Sequence, residues 1–447
     1  MRTTIFATLL ITCCFLLPIS VQETVDSGQQ STGLFQDNAS IISTVPVVFA
    51  PQNPPIDPFK ELWIKDLSVV EDPVRTVYDE NSIDPSQGAW TFGRMMEHMA
   101  GGHDPGLFTE ALFRGFEVQQ TINGFDSPVR PGFVETVIDP WRARSERAGL
   151  PGLAPQFAPM RLSGIVNRID LRSPGGDGDP VHAGEGRLVY HITDENGGPT
   201  QGSIILEYEL LADDCEDIKL WANRWHRLGS IPFGPDFNRY LERLVNNFAG
   251  PDVAPNRPNG SAIVTIRTND SVHVDEPWEW REWRMNATGF LEQVTVAMSP
   301  QSSLNGSTQL ARYINENEQA IIAQEHVVPL VYRGVPFRGA VSGDDILHSA
   351  FNAPLIQNPL ARHRFSLNTC VGCHRGETPT GFFHAFPRGE GSETNLSFFL
   401  TGGTHPDPFT GEVRSFNDLK RRSKDLQMVL NSACPEIEAY PRIYRVH

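Results

Sequence analysis

The chain has 447 residues, 39% of them hydrophobic and 20% charged, with a formal net charge of -17. That length accommodates two or three domains, and the balance is that of a globular protein with ample material for a core. Fifty-four acidic against 37 basic residues argue against nucleic acid or an anionic membrane surface as partner, since both would repel the chain.

Arg2, followed by an almost wholly apolar run from Ile5 to Ile19, reads as an export signal over residues 1–21, cleaved near Val21. The run is short and weakly flanked for a membrane anchor. It also continues past Cys13, where the cysteine of a lipoprotein would end it. Periplasmic or secreted localisation is therefore expected, with no integral span once the signal is removed. The signal takes Cys13 and Cys14 with it and leaves Cys215, Cys370, Cys373 and Cys434, an even number suited to an oxidising compartment. Residues 22–58, polar and then proline-rich ("FAPQNPPIDPF"), read as a linker.

Residues 59–158 read as a helical region. "WTFGRMMEHMA" (Trp90 to Ala100) and Gly106 to Gln119 carry apolar residues at helical spacing, among them Leu107, Leu112 and Phe116. Met95, Met96 and Met99 fit core filling better than a cofactor-facing surface. Residues 159–336 read as a strand-rich domain. "RLSGIVNRIDLR", "GRLVYHIT", "GSIILEYELL", "SAIVTIRTN", "PWEWREWRM" and "FLEQVTVAM" are β-prone runs separated by turn residues, and they predict an antiparallel sandwich or barrel-like sheet. Two amphipathic helices interrupt them, one with Ile218, Trp221, Trp225 and Leu228 on its face, the other with Phe237, Leu241, Leu244 and Phe248. A further helix is expected over Thr308 to Ala323, capped by Ser307. Residues 337–447 read as a small, mainly α, cytochrome c-like domain ending in a helix over Asn417 to Leu430. The fold class expected is α+β.

Chemistry concentrates in "NTCVGCHRGE" (Asn368 to Glu377). Covalent haem attachment needs two thiols that reach the two vinyl groups on one porphyrin edge and a histidine that turns under the iron. C-x-x-C-H supplies both on one helical turn. Cys370 and Cys373 would form the thioethers and His374 would ligate the iron. Three competitors stay open. Zinc would take Cys370 and Cys373 with ligands such as His384 and His405. A redox dithiol would need a βαβ context that is not apparent, and a disulfide loop needs only the two thiols.

For the sixth iron ligand, Met428 lies off the face shared by Leu419, Leu426 and Leu430. His384, among Phe382, Phe383 and Phe386, is the better placed, and His405 follows. An iron with no sixth ligand would be open to small molecules or peroxide. Cys215 and Cys434 each sit beside a helix end, and a disulfide between them is the simplest use for both. The loop around Asp177, Asp179 and Glu185 fits a solvated turn better than a cation site. Glu279, Arg281, Glu282 and Arg284 fit ion pairs on a strand. No nucleophile elbow, zinc-protease motif, P-loop or dinucleotide fingerprint occurs.

Three stretches, "RLSGIVNRIDLR", "RTNDSVHVDEPWEWREWRM" and "FSLNTCVGCHRGETPTGFFHAFPR", resemble a group of secreted bacterial proteins of myxobacterial type that carry no established activity. The likeness runs from about Trp90 to Cys434. It implies that Glu377, Thr378, Thr380, His384, Pro387 and Arg388 belong with the C-x-x-C-H segment to one fixed site. The function expected is an exported single-haem c-type cytochrome-like protein for electron transfer or haem redox chemistry, served by a redox partner protein. The alternative is a secreted binding or structural protein with a zinc- or disulfide-held C-terminal site.

Overall fold

The six strand-forming runs pair, in order along the chain, into one antiparallel sheet of nine strands. In the computed structural model, which describes residues 53–176, 179–273, 275–343 and 350–438, its strands are β1 (Trp63–Ile64), β2 (Met160–Arg168), β3 (Ser173–Gly176), β4 (Asp179–Thr193), β5 (Pro199–Leu211), β6 (Ile263–Asp270), β7 (Glu279–Met285), β8 (Leu291–Val294) and β9 (Ser342–Gly343). The spatial order is β1-β2-β4-β5-β6-β7-β8, with β3 on β4 and β9 on β7. The architecture is α+β, as expected, but the strands form a single open sheet rather than a sandwich or barrel. Helices and the C-terminal segment, rather than a second sheet, cover its two faces.

The alternation of side chains makes those faces different. Ile64, Ile165, Leu188, Leu206, Ile266 and Trp283 lie side by side across six strands in register. Four helices close over this apolar face: α1 (Phe92–Ala100), α2 (Pro105–Glu117), α3 (Cys215–Gly229) and α4 (Pro235–Ala249). Phe92 meets Tyr190 edge-on at 5.6 Å, Phe116 stacks on Trp283 at 5.7 Å, and Phe248 lies 6.0 Å from Tyr208. Met95, Met96 and Met99 are fully buried in this core. The other face carries Val166, Arg187, Glu207, Arg267 and Trp280 and lies under the C-terminal segment.

Helix ends follow their caps. Asp214 accepts from Asp217 N (3.1 Å) to start α3, and Ser307 accepts from Leu310 N (3.1 Å) to start α5 (Thr308–Glu316). The expected helix to Ala323 breaks at Asn317, whose side chain donates to the Tyr313 carbonyl (2.8 Å) and whose backbone leaves the helical region; a separate turn, Glu318–Ala323, follows. Strand β2 likewise ends at Arg168, where Asn167 Oδ1 accepts from Ile169 N (2.9 Å) and turns the chain out of the sheet.

The regions 59–158, 159–336 and 337–447 do not keep separate cores. One buried cluster draws Met95, Leu188 and Leu426 together, and a second unites Trp280, Tyr313, Phe365 and Cys370. The last residues of the expected linker belong to this body, since Asn53 bonds Asn431 (3.1 Å) and Asp57 caps a short helix, Pro58–Glu61. The expected signal peptide lies outside the described residues. Among those described, no helix is long and apolar enough to cross a membrane.

Candidate functional site

The C-x-x-C-H segment follows helix α6 (Pro359–Leu367) and closes in a π-helical turn, Gly372–Gly376. It sits where the two cores meet. Cys370 and Val371 pack into one and Cys373 into the other. Side chains of the segment tie the turn down. Thr369 Oγ1 donates to Ser366 O (2.7 Å) and accepts from Gly372 N (3.1 Å), and Ser299 Oγ accepts from Cys370 N (3.0 Å). Thr378 donates to the Cys373 carbonyl and Thr380 to the His374 carbonyl (2.7 Å). Both cysteines are buried and neither forms a disulfide. Burial pushes the Cys370 thiol up to about 12.

His374 Nδ1 lies 2.8 Å from the Phe382 carbonyl. A carbonyl only accepts, so Nδ1 carries the hydrogen and the lone pair stays on Nε2. That is the tautomer and the backbone anchor typical of metal-binding histidines. Asn269 Nδ2 donates to the same Phe382 oxygen (2.8 Å), and Trp278 Nε1 donates to Asn269 Oδ1 (2.6 Å). Trp280 packs 4.7 Å from the His374 ring. Phe382 itself stands at φ 71°, a conformation rare for a bulky residue and common at functional sites.

His384 comes from the following loop to within 4.3 Å of the His374 ring, centroid to centroid. Its Nε2 lies 3.3 Å from Cys373 Sγ and its Nδ1 2.9 Å from Ser397 Oγ. Burial keeps both imidazoles neutral. It lowers His374 to about 4 and His384 well below its ordinary value, the latter also by its neighbour His374. Neutral nitrogen is the form that ligates metal.

Both rings line a cavity whose floor is the polar face of the sheet. Val166, Arg168, Arg187, Val189, Ser203, Ile205, Glu207, Arg267, Asn269 and Trp280 line it from below, with Ala385, Phe399, Leu400 and Arg422 above. It is a narrow cavity of about 60 Å³. Buried ion pairs form its floor. Arg187 bridges Glu185 (2.6 Å) and Glu207 (3.0 Å), and Arg267 bridges Glu207 (3.4 Å) and Glu282 (3.4 Å). Desolvation, reinforced by Glu185 and Glu282, raises Glu207 to about 7 despite its two arginines.

Below the turn, Glu377 binds His363 (2.6 Å) and Arg362, and Arg362 also binds Asp407 (2.7 Å). His363, Glu377 and Asp407 are the one described set of three such residues whose ligand atoms lie within 4.8 Å of one another. Arg362, with Arg414 3.5 Å from Asp407, already compensates the two carboxylates. The network therefore acts as a clamp between α6 and the residue three beyond His374. Arg388 anchors the loop's far end, donating to the carbonyls of Leu162 (2.9 Å) and Val70 (3.0 Å).

Other expected residues divide as follows. Cys215 and Cys434 form a disulfide, with Cα atoms 5.7 Å apart. His405 lies on a strand, Gly403–Pro406, opposite Arg414, and does not join the cysteines in a cluster of three ligands. Met428 is half-buried, while Leu419, Leu426 and Leu430 are buried. Asp177 and the Asp179 side chain fall outside the described residues, and Glu185 is held by Arg187. Arg281 pairs with Glu279, and Arg284 with Glu282 (3.2 Å), as the strand pattern predicts. His363, Asp407 and the four cavity arginines escape a reading by motif. No family model, curated protein or solved structure matches this chain.

Proposed function

We propose that the chain is an exported, single-haem redox protein of c type, in which Cys370 and Cys373 would attach the porphyrin and His374 and His384 would hold the iron. The observation that carries this reading is the orientation of His374: its Nδ1 hydrogen is spent on a backbone carbonyl, and its ring lines a cavity in the same turn that presents two buried thiols. Two thiols, two neutral imidazoles, aromatic walls and guanidinium groups are the kinds of group that hold haem, but neither Cys370 nor Cys373 lines the cavity as it stands. The present spacing does not admit a porphyrin between the imidazoles, which are 4.3 Å apart. Seating one requires His384 to withdraw with its loop, while Thr378, Thr380 and the Glu377 clamp hold His374 in place. Bound there, haem would supply one-electron transfer to a partner protein. The cytochrome c-like character of residues 337–447 and the kinship with the secreted myxobacterial-type proteins are part of the same proposal.

Zinc is the second reading, favoured by the approach of Cys373 Sγ to His384 Nε2. One sample decides between them. The protein is exported in a host that matures c-type haem, and its intact mass and visible spectrum are recorded. Haem predicts a Soret band and a mass gain of one haem, both lost in Cys370→Ala/Cys373→Ala. A colourless protein of apoprotein mass refutes the reading, and zinc analysis of that sample tests the alternative.

A further inference from the structure

Buried ion pairs ring the cavity. At one end three guanidinium groups, Arg168, Arg421 and Arg422, share two carboxylates. Arg168 pairs with Asp170 (2.9 Å), Arg421 with Asp170 (2.7 Å) and Asp418 (2.8 Å), and Arg422 with Asp418 (2.6 Å). The adjoining Arg172–Asp425 pair (2.6 Å) is balanced and adds nothing. At the other end Arg187, Arg267 and Arg284 pair with Glu185, Glu207 and Glu282, and Glu185 also lies opposite Arg168 in the sheet.

Arg422 stands at the first of these ends. It lines the cavity, is 3% exposed, and spends Nε on Asp418. Its Nη1, fully buried, has no hydrogen-bond partner among the described residues. A buried guanidinium N–H without an acceptor is costly, and an anionic acceptor forms the stronger kind of hydrogen bond. We propose that Arg422, with Arg168 beside it, receives a carboxylate of the molecule that fills this cavity. Burial and the neighbouring Arg168 lower Arg422 to about 10, which an anion at this point would reverse. Where the proposed haem fills the cavity, and to that extent the inference rests on that reading, the carboxylate is a porphyrin propionate; a free small carboxylate presents the same chemistry.

The test uses the full chain carrying Cys370→Ser and Cys373→Ser, so that porphyrin binds reversibly. It is titrated with haem and with haem dimethyl ester, then with benzoate, with and without Arg422→Met. The expected result is a preference for the free acid over the ester of about tenfold or more, collapsing in Arg422→Met. A preference that Arg422→Met leaves unchanged, in a protein of unaltered circular dichroism, overturns the inference. If neither porphyrin binds but benzoate does, and Arg422→Met weakens benzoate about tenfold, the carboxylate site stands and the haem reading fails. If no carboxylate binds, the inference fails. Should Arg422→Met not fold, Arg422→Lys decides. An ammonium held by Asp418 cannot offer the fork's second donor, so the preference should fall several-fold, and an undiminished one is contrary to the inference.

Discussion

Gly372, between the two cysteines, is the position where the site tolerates least. A Cβ built there falls 1.8 Å from the Ser366 carbonyl oxygen and 2.5 Å from its carbon, whereas ordinary contact begins at 3.4 Å. Both are backbone atoms at the end of α6. The oxygen cannot yield freely, because it accepts from Thr369 N (3.0 Å) and Thr369 Oγ1 (2.7 Å). The Ser366 hydroxyl in turn accepts from Phe351 N (2.9 Å). Gly372→Ala gains ~0.5–1 kcal/mol from a stiffer unfolded chain. Overpacking a well-filled interior costs ~1–3 kcal/mol, occasionally more, and here hydrogen bonds must also move. A clash this close puts the cost at the upper end of that range, so the expected net effect is a loss of about 2 kcal/mol, read as a lower midpoint in urea at unchanged slope. His374 should reorient as well, and on the haem proposal uptake of haem should fall with it. A variant equal to or more stable than the parent would refute the packing of the turn on Ser366.

The Cys215–Cys434 disulfide joins residues 219 apart, and its reduction or replacement by serine should cost about 2–5 kcal/mol, checked by urea melts with and without reductant. His326 is buried, has no hydrogen-bond partner among the described residues and is lowered to about 4 by desolvation. An unfolded histidine titrates near ~6.5, so this group takes up its proton on unfolding. Its contribution to stability is whole above about pH 6.5 and is lost progressively towards about pH 4. His326→Phe should flatten the fall of the urea midpoint over that window, and parallel profiles for variant and parent would count against it.

The elements were legible and the cavity was not. Period-two runs such as "GSIILEYELL" gave strands, and 3.6-period faces such as Phe237, Leu241, Leu244 and Phe248 gave helices, because burial of one face is a local constraint. The turn was legible because C-x-x-C-H compresses its geometry into five residues. The cavity arginines belong to strands and a helix far apart in sequence, and only the register brings Arg187 opposite Glu207 and Ile205 opposite Arg267. A signal for them does exist. In β4, β5 and β6 the residues alternating with buried Leu188, Leu206 and Ile266 include Arg187, Glu207 and Arg267, where a solvated face would be expected. All three are buried, so charges at those strand positions mark a polar interior rather than an outer surface. The expected sandwich failed for the same reason. The second face needed no second sheet, because the C-terminal segment covers it.

Phe382 offers the sharpest check on how His374 is held. Its φ of 71° is a strained value for a residue with a side chain, of order ~1–3 kcal/mol, and its carbonyl, so aimed, accepts from both His374 and Asn269. The ring also stacks on Trp278 at 5.0 Å, so any truncation loses packing, and a single variant cannot separate the two effects. Two variants can. Phe382→Ala and Phe382→Gly lose the same ring contacts, but only glycine adopts positive φ at little steric cost. At an ordinary position alanine is the more stable by ~0.5–1 kcal/mol, because glycine has more freedom to lose on folding. At Phe382 the order should invert, with glycine the more stable by roughly 1 kcal/mol in urea melts. The usual order, alanine above glycine, would mean that the backbone at Phe382 is unstrained.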